Sequence, residues 1–318
     1  MTHQANNQAT PRKMKTLGFG VEVEYAEISI QRMLKQIQSV VGGFETRERN
    51  SQGGYSRGIK APDGRVWFAM RDCSIRSRNG QGAELVTPIL RYSDIETLQN
   101  IVRACRNRGI RFPEGDACAE ANRSCGIHIH IGAEEFDIKA TKRFIKLVAK
   151  WEQVMTSALD IHNRRLEDYC KPVSQELVTK LKKVKTMDQL NIAVFNRRDW
   201  GTGRPMVHTP CQYESERYHG LNLVNLWRIG TFEGRWFNST THAGEVKAYI
   251  QLMLAMAERA LTTTRGSAKP RPVRGGNVAW PLRMMFNRLN LRGDEFKTCR
   301  HHLAKNVEGN AWTATAAG

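Results

Sequence analysis

The segment LGFGVEVEY (17–25) alternates strictly. Phe19, Val21, Val23 and Tyr25 fall on one side, Glu22 and Glu24 on the other, the period of a half-buried strand. Ile30, Met33, Leu34, Ile37 and Val41 recur at helical spacing and predict an amphipathic helix over 29–40. The Gly- and charge-rich stretch 42–65 reads as a loop or hairpin, and strands are predicted at 66–72 and 83–88. Ser93 and Asp94 cap a helix carrying Ile95, Leu98, Ile101, Val102 and Cys105 and closed by Gly109. In CGIHIHIGA (125–133) the isoleucines Ile127, Ile129 and Ile131 alternate with His128 and His130, again a strand.

A long amphipathic helix is predicted over 137–169, with shorter ones at 175–184 and 187–194. Strand patterns follow at 217–224 (RYHGLNLV) and 230–238 (GTFEGRWFN), then a helix over 245–262 and two short helices after residue 278. Strands and helices interleave without a βαβ rhythm, which predicts an α+β fold with a largely antiparallel sheet flanked by helices. Residues 1–15 read as a flexible tail, 16–262 as the main domain, and 263–277 as a basic Gly/Pro linker. Residues 278–318 then supply helices and a tail packing on the same domain.

Composition sharpens this in two respects. The net charge of +18 is large for a chain of 318 residues and raises the prospect of a polyanionic partner such as nucleic acid. A solvated basic surface would account for it equally well. No apolar run reaches the ~18 residues of a membrane span, and the polar start MTHQANNQATPRKMK lacks a secretory pattern. With seven scattered cysteines, this predicts a cytoplasmic protein without a disulfide framework.

Neither a Walker A loop nor a GxGxxG turn is present. On a strand, Glu22 and Glu24 leave one face roughly 7 Å apart, a spacing suited to hard divalent cations. Glu84 lies in AELVTP (83–88), and Asp72 follows the preceding strand. His128 and His130 share a face and invite a metal; a zinc site would need a third ligand, for which Cys125 is a candidate. In TFEGRWFNST, Glu233 and Arg235 share a face with Thr231 and Phe237, while Phe232 and Trp236 pack opposite around Gly234. This spacing suits either a plain ion pair or a metal ligand beside a phosphate-binding arginine. Each strand alone also fits a sheet whose polar face meets water. Four such strands make that face expensive unless it lines a polar cavity.

The order FGVEVEY, DCSI…GAELVTP, CGIHIHI, RYHGLNL, TFEGRWFNST resembles the amidoligases, relatives of glutamine synthetase and glutamate–cysteine ligase that lack a Walker loop, over roughly 16–305. The resemblance implies a curved, mostly antiparallel sheet binding ATP and Mg²⁺, with Mn²⁺ as a substitute. The activity it implies is an ATP-dependent joining of a small-molecule or peptide carboxylate to an amine through an acyl phosphate. It implies Glu22, Glu24, Glu84, His128 and Glu233 as metal ligands and Arg235 as the phosphate-contacting residue. Asp72 and His130 are further catalytic candidates, and Arg217 and Tyr218 are expected near nucleotide or acceptor. The competing readings are a nucleic-acid-binding or -modifying protein and a zinc hydrolase built on His128 and His130.

Overall fold

The computed structural model describes residues 12–50, 53–106, 118–273 and 277–308. The chain runs β1 (Phe19–Ala26), α1 (Ile30–Val41), β2 (Phe44–Arg49), β3 (Tyr55–Lys60), β4 (Val66–Met70), β5 (Gly82–Val86), α2 (Ile95–Arg106) and β6 (Gly126–Gly132). There follow α3 (Ile138–Ala158), α4 (Asn163–Asp168), α5 (Gln175–Lys180), α6 (Met187–Phe195), β7 (Leu221–Asn222) and α7 (Val224–Arg228). The last elements are β8 (Thr231–Asn238), α8 (Ala243–Thr262), α9 (Ala279–Arg288) and α10 (Lys297–Leu303). The strands form one sheet in the order β2-β3-β4-β5-β1-β6-β8-β7, antiparallel at every pairing. This is a mixed helix and antiparallel-sheet fold, as the interleaved patterns predict.

The alternation in β1 and β6 divides the sheet as expected. Phe19, Val21, Val23, Ile127, Ile129 and Ile131 are buried on one face, under helices α1, α2, α3 and α8. Phe136 meets Phe144 and Phe232 edge-on, and Phe144 and Phe232 are tilted against each other, between α3 and β8. Helix starts follow local chemistry: Ser29, Asp137, Ser174 and Thr186 each accept a hydrogen bond from the first turn of α1, α3, α5 and α6.

Several expectations need correction. The stretch 42–65 supplies two strands of the main sheet, β2 and β3. The single helix expected over 137–169 breaks after Ala158. Asp160 turns the chain at φ 50°, and Asn238 pins the break by donating to the Asp160 carbonyl (3.0 Å) and accepting from His162 N–H (3.3 Å). The strand expected over 217–224 shrinks to two residues, because Asn222 accepts from Val224 N–H and starts α7. At Gly220 a β-carbon would stand 1.8 Å from Trp236 Nε1, so only glycine lets the chain pass the indole. Phe237 does not share a face with Glu233. A bulge sets Arg235 and Trp236 opposite the single residue His128, which turns Phe237 into the core, stacked on Tyr249 at 4.6 Å.

Of the expected N-terminal tail, residues 1–11 lie outside the described residues, but 12–15 are docked. Met14 is fully buried and Arg12 pairs with Glu258 of α8. Gly109, residues 274–276 of the linker and 309–318 likewise lie outside the described residues. The helix α9 packs on α3 and α10 on α8. No helix among the described residues is long and apolar enough to cross a membrane.

Candidate functional site

The sheet face turned away from the helices gathers the predicted side chains, and register explains how. Glu24 lies directly across from Glu84, Glu22 from His128, and His130 from Glu233. Five strands are not needed; β5, β1, β6 and β8 suffice to bring four carboxylates, two imidazoles and a guanidinium together. Glu22 is half-buried and touches both histidines, at 3.0 Å from His128 Nδ1 and 3.4 Å from His130 Nε2. His128 also faces Glu233 at 3.6 Å and Glu24 at 3.7 Å. Arg235 Nη1 donates to Glu233 Oε1 at 2.5 Å.

On this face three sets of ligand atoms lie close enough to share an ion: Glu22, Glu84 and His128; Glu22, His130 and Glu233; and Glu24, Asp72 and Glu84; a fourth among the described residues, His242, Glu245 and His302, lies elsewhere. Every acidic and imidazole residue predicted for the site therefore falls into one of them. Cys125 joins none of them; its thiol lies near Asn122 at 3.5 Å. Arg217 and Tyr218 stand at the rim. Arg217 donates to the Gln212 carbonyl and lies over the Tyr218 ring.

Electrostatics divide the carboxylates. Burial favours protonation of Glu22, but the imidazoles of His130 and His128 outweigh it and hold its carboxyl well below the usual range. Glu233 is likewise pressed up by burial yet held low, first by Arg235. Burial raises Glu24, offset only in part by His128. Glu84 is pushed well above the usual carboxylate range, by burial and then by Glu22, Glu24 and Asp72. His130 is raised because the Glu22 carboxylate overcomes the opposing effect of burial. Arg235 Nε is buried without a hydrogen-bond partner among the described residues, and His130 Nε2 has only the 3.4 Å approach of Glu22.

Two cavities open on this face, of about 680 Å³ and about 380 Å³. They share Glu22, Asp72, Glu84, Arg217 and Arg235, so they meet over the carboxylates. The larger is rimmed by Arg76, Arg123 and Tyr169, the smaller by Arg71, Arg228 and Tyr213.

The sequence reading missed several supports. Asn222 and Asn225 both donate to Glu233 Oε2 at 2.6 Å and fix its orientation. The only signal was their i, i+3 spacing at a strand-to-helix joint. Arg165 of α4 is buried, donates to the Arg235 carbonyl at 2.9 Å and fills the space a side chain at Gly126 would need. Glu152 of α3 accepts from Val173 N–H and from Trp236 Nε1, both at 2.8 Å, behind the bulge that aims Arg235.

Burial pushes the Glu152 carboxyl up to about 7. Its folded value thus lies above the unfolded one, so it stabilises the fold most at low pH. That contribution is lost as pH rises from about 4.5 to about 7, and amounts to about 3 kcal/mol. Urea melts at pH 4.5 and 8 should show the gap between wild type and Glu152→Gln shifting in the variant's favour by that amount. A constant gap would mean Glu152 is ionised in both states.

The fold and the site define an α+β protein with a carboxylate- and histidine-lined sheet face. The family model described as "Putative amidoligase enzyme" matches residues 15–257, and the chain belongs to this amidoligase family. The resemblance carried by the motif order therefore holds, and α9 and α10 lie beyond the matched residues. A crystal structure of the complex between prokaryotic ubiquitin-like protein Pup and its ligase PafA is similar over 92% of this chain, at 11% identity and a TM-score of 0.34. The alignment spans 62% of that chain, less than two thirds of its length. No curated protein matches.

Proposed function

We propose that this sheet face is the active site of an ATP-dependent carboxylate–amine ligase. The γ-phosphoryl group of ATP moves to a substrate carboxylate, an amine attacks the acyl phosphate, and an amide, ADP and phosphate result. The observation that carries this reading is the crowding of Glu22 and Glu84 beside Arg235 on the shared floor of two cavities, with Glu24 in the larger and Glu233 in the smaller, in a chain of the amidoligase family.

The donor set fits Mg²⁺, a hard cation that takes oxygen ligands. No lysine or arginine forms a salt bridge with Glu22, Glu24 or Glu84 among the described residues, and the imidazoles of His128 and His130 are the cationic partners of Glu22 and Glu24, so a bound cation would add the charge that this crowded carboxylate set lacks. Glu22, Glu24, Glu84, His128 and Glu233 would hold the ions, with Asp72 adjoining. Bound cations would neutralise phosphate oxygens and align donor with acceptor.

Arg235 is anchored at Nη1 by Glu233 and lines both cavities, so the remainder of its fork would meet a phosphate oxygen. The site of His130 suits it to take the amine proton, its Nδ1 being held by Thr231 Oγ1 at 3.1 Å. Two cavities meeting over one floor suit a nucleotide on one side and the acceptor on the other, with Arg217 and Tyr218 at the nucleotide or acceptor rim. The substrates are a small-molecule or peptide carboxylate and an amine. We read the sheet as the curved glutamine synthetase type, residues 16–262 as the catalytic domain with the C-terminal helices packed on it, and the cytoplasm as the site of action.

Calorimetry should find ATP bound only with Mg²⁺ or Mn²⁺ present, and ADP release should appear when a carboxylate and an amine from a mixed panel are added. Equal ATP binding in excess EDTA would overturn the reading.

A further inference from the structure

From Arg259 to Gly293 the chain carries eight Lys and Arg residues and no Asp or Glu. Helix α3 repeats this: between Asp137 and Glu152 it holds Lys139, Lys142, Arg143, Lys146 and Lys150 and no acid. The fold lays the two acid-free stretches side by side. Arg271 N–H donates to the Lys150 carbonyl at 2.9 Å, Gly266 lies against Arg143, and α9 packs on α3.

Lys146, Lys150, Arg259, Arg271 and Arg288 thereby fall on one surface, and none of them has an acidic partner among the described residues. Some cations elsewhere are matched, as in Arg12–Glu258, Arg65–Asp94 and Arg197–Glu214, and what sets this patch apart is that its two acid-free stretches lie side by side. Like charges so placed repel unless an anion covers them. Lys150 registers the strain: its ammonium is pulled below the usual lysine range, by burial first and then by Arg271, Arg288 and Arg259. Outside the described residues the only acidic side chains are Glu114 and Asp116.

We infer that this α3–α9 surface binds the phosphodiester backbone of a nucleic acid. The patch is on the helix layer, while the carboxylates occupy the opposite face of the sheet. It therefore acts as a tether and not as part of the substrate pocket, and the inference is independent of the ligase reading. A membrane surface fits less well. Insertion needs a row of apolar side chains, and Trp280 is the one large apolar residue exposed on these elements among those described. A lone aromatic beside arginines suits stacking on a base.

The test is fluorescence anisotropy with a labelled 24-base-pair DNA duplex and a single-stranded RNA of equal length, across a salt series. The Lys146→Ala/Arg271→Ala/Arg288→Ala variant should weaken binding at least tenfold at 0.1 M salt. It should also lower the slope of log K against log salt by about 2 to 3 for the duplex. The Arg47→Ala/Arg49→Ala/Arg57→Ala variant removes the same charge from the β2–β3 hairpin and should change binding less than threefold. Glu22→Gln should leave it intact. Equal losses in both triple variants, or no measurable binding by wild type to either probe, would overturn the inference. So would a Lys146→Ala/Arg271→Ala/Arg288→Ala variant that loses binding to phosphatidylserine vesicles while keeping wild-type nucleic-acid binding.

Discussion

Glu22→Gln is expected to lower Mg²⁺-dependent ADP release by about 10³-fold, the largest effect of any single substitution in this site. Glu22 is the one residue common to the two histidine-containing ligand sets of this sheet face, Glu22/Glu84/His128 and Glu22/His130/Glu233. Its carboxyl is held ionised by His130 and His128 against the pull of burial, so it supplies a full negative charge to both. Glutamine keeps the size and removes the charge. Cation stabilisation of a transferring phosphoryl group is worth several kcal/mol, and a loss of about 4 kcal/mol corresponds to about 10³ in rate. Glu24 belongs to only one set, with Asp72 and Glu84, so Glu24→Gln should cost less. The pair separates a shared ligand from general loss of negative charge. ADP release within tenfold of wild type in Glu22→Gln, with an unchanged circular dichroism melt, would remove Glu22 from the centre of the site.

Period-2 alternation made most of this site legible, because facing is the one property that a strand sequence encodes directly. Glu22, Glu24, His128 and His130 were placed on one face by their offsets from Phe19, Val21 and the isoleucines, and burial bears that out. What brings Glu24 opposite Glu84, and His130 opposite Glu233, is register between strands up to about a hundred residues apart. Register is set by the whole hydrophobic face and by turns, neither of which a single segment displays. The same reasoning explains the failure at Phe237. Strict alternation puts it beside Glu233, and a bulge cancels the alternation by one residue.

The other misses come from side chains that bond backbone. Asn238 breaks the long helix from a distance, donating to the Asp160 carbonyl and accepting from His162 N–H, and Asn222 ends β7 locally by accepting from Val224 N–H. Periodicity reports neither, since the first partner lies outside the periodic segment and the second is a polar side chain that the hydrophobic pattern does not register. The break matters for the site. It turns α4 inward so that Arg165 reaches the Arg235 carbonyl, which a continuous helix would not do.

Arg235→Lys is the second large effect expected: kcat should fall by about 10²- to 10³-fold with little change in affinity for Mg·ATP. Arg235 is held from several sides. Its N–H donates to the Gly220 carbonyl, its own carbonyl accepts from Arg165 and from the Cys170 thiol at 3.0 Å, and Nη1 is fixed on Glu233. Glu233 in turn is gripped by Asn222 and Asn225. So rigid a guanidinium, on a residue that lines both cavities, is set to meet charge that develops between them. Lysine keeps the charge and a partner for Glu233 but loses the planar fork. The stability of Arg235→Lys should therefore stay close to wild type while kcat falls. Arg235→Ala should lose activity and also about 3 to 5 kcal/mol of stability, because it strands the buried Glu233 charge. Steady-state ADP release and urea melts on the two variants separate these roles. Wild-type kcat in Arg235→Lys would reduce Arg235 to a counter-ion for Glu233, and the charge that develops in the transition state would then have to be met by another group, of which Arg217 at the shared rim is the nearest in kind.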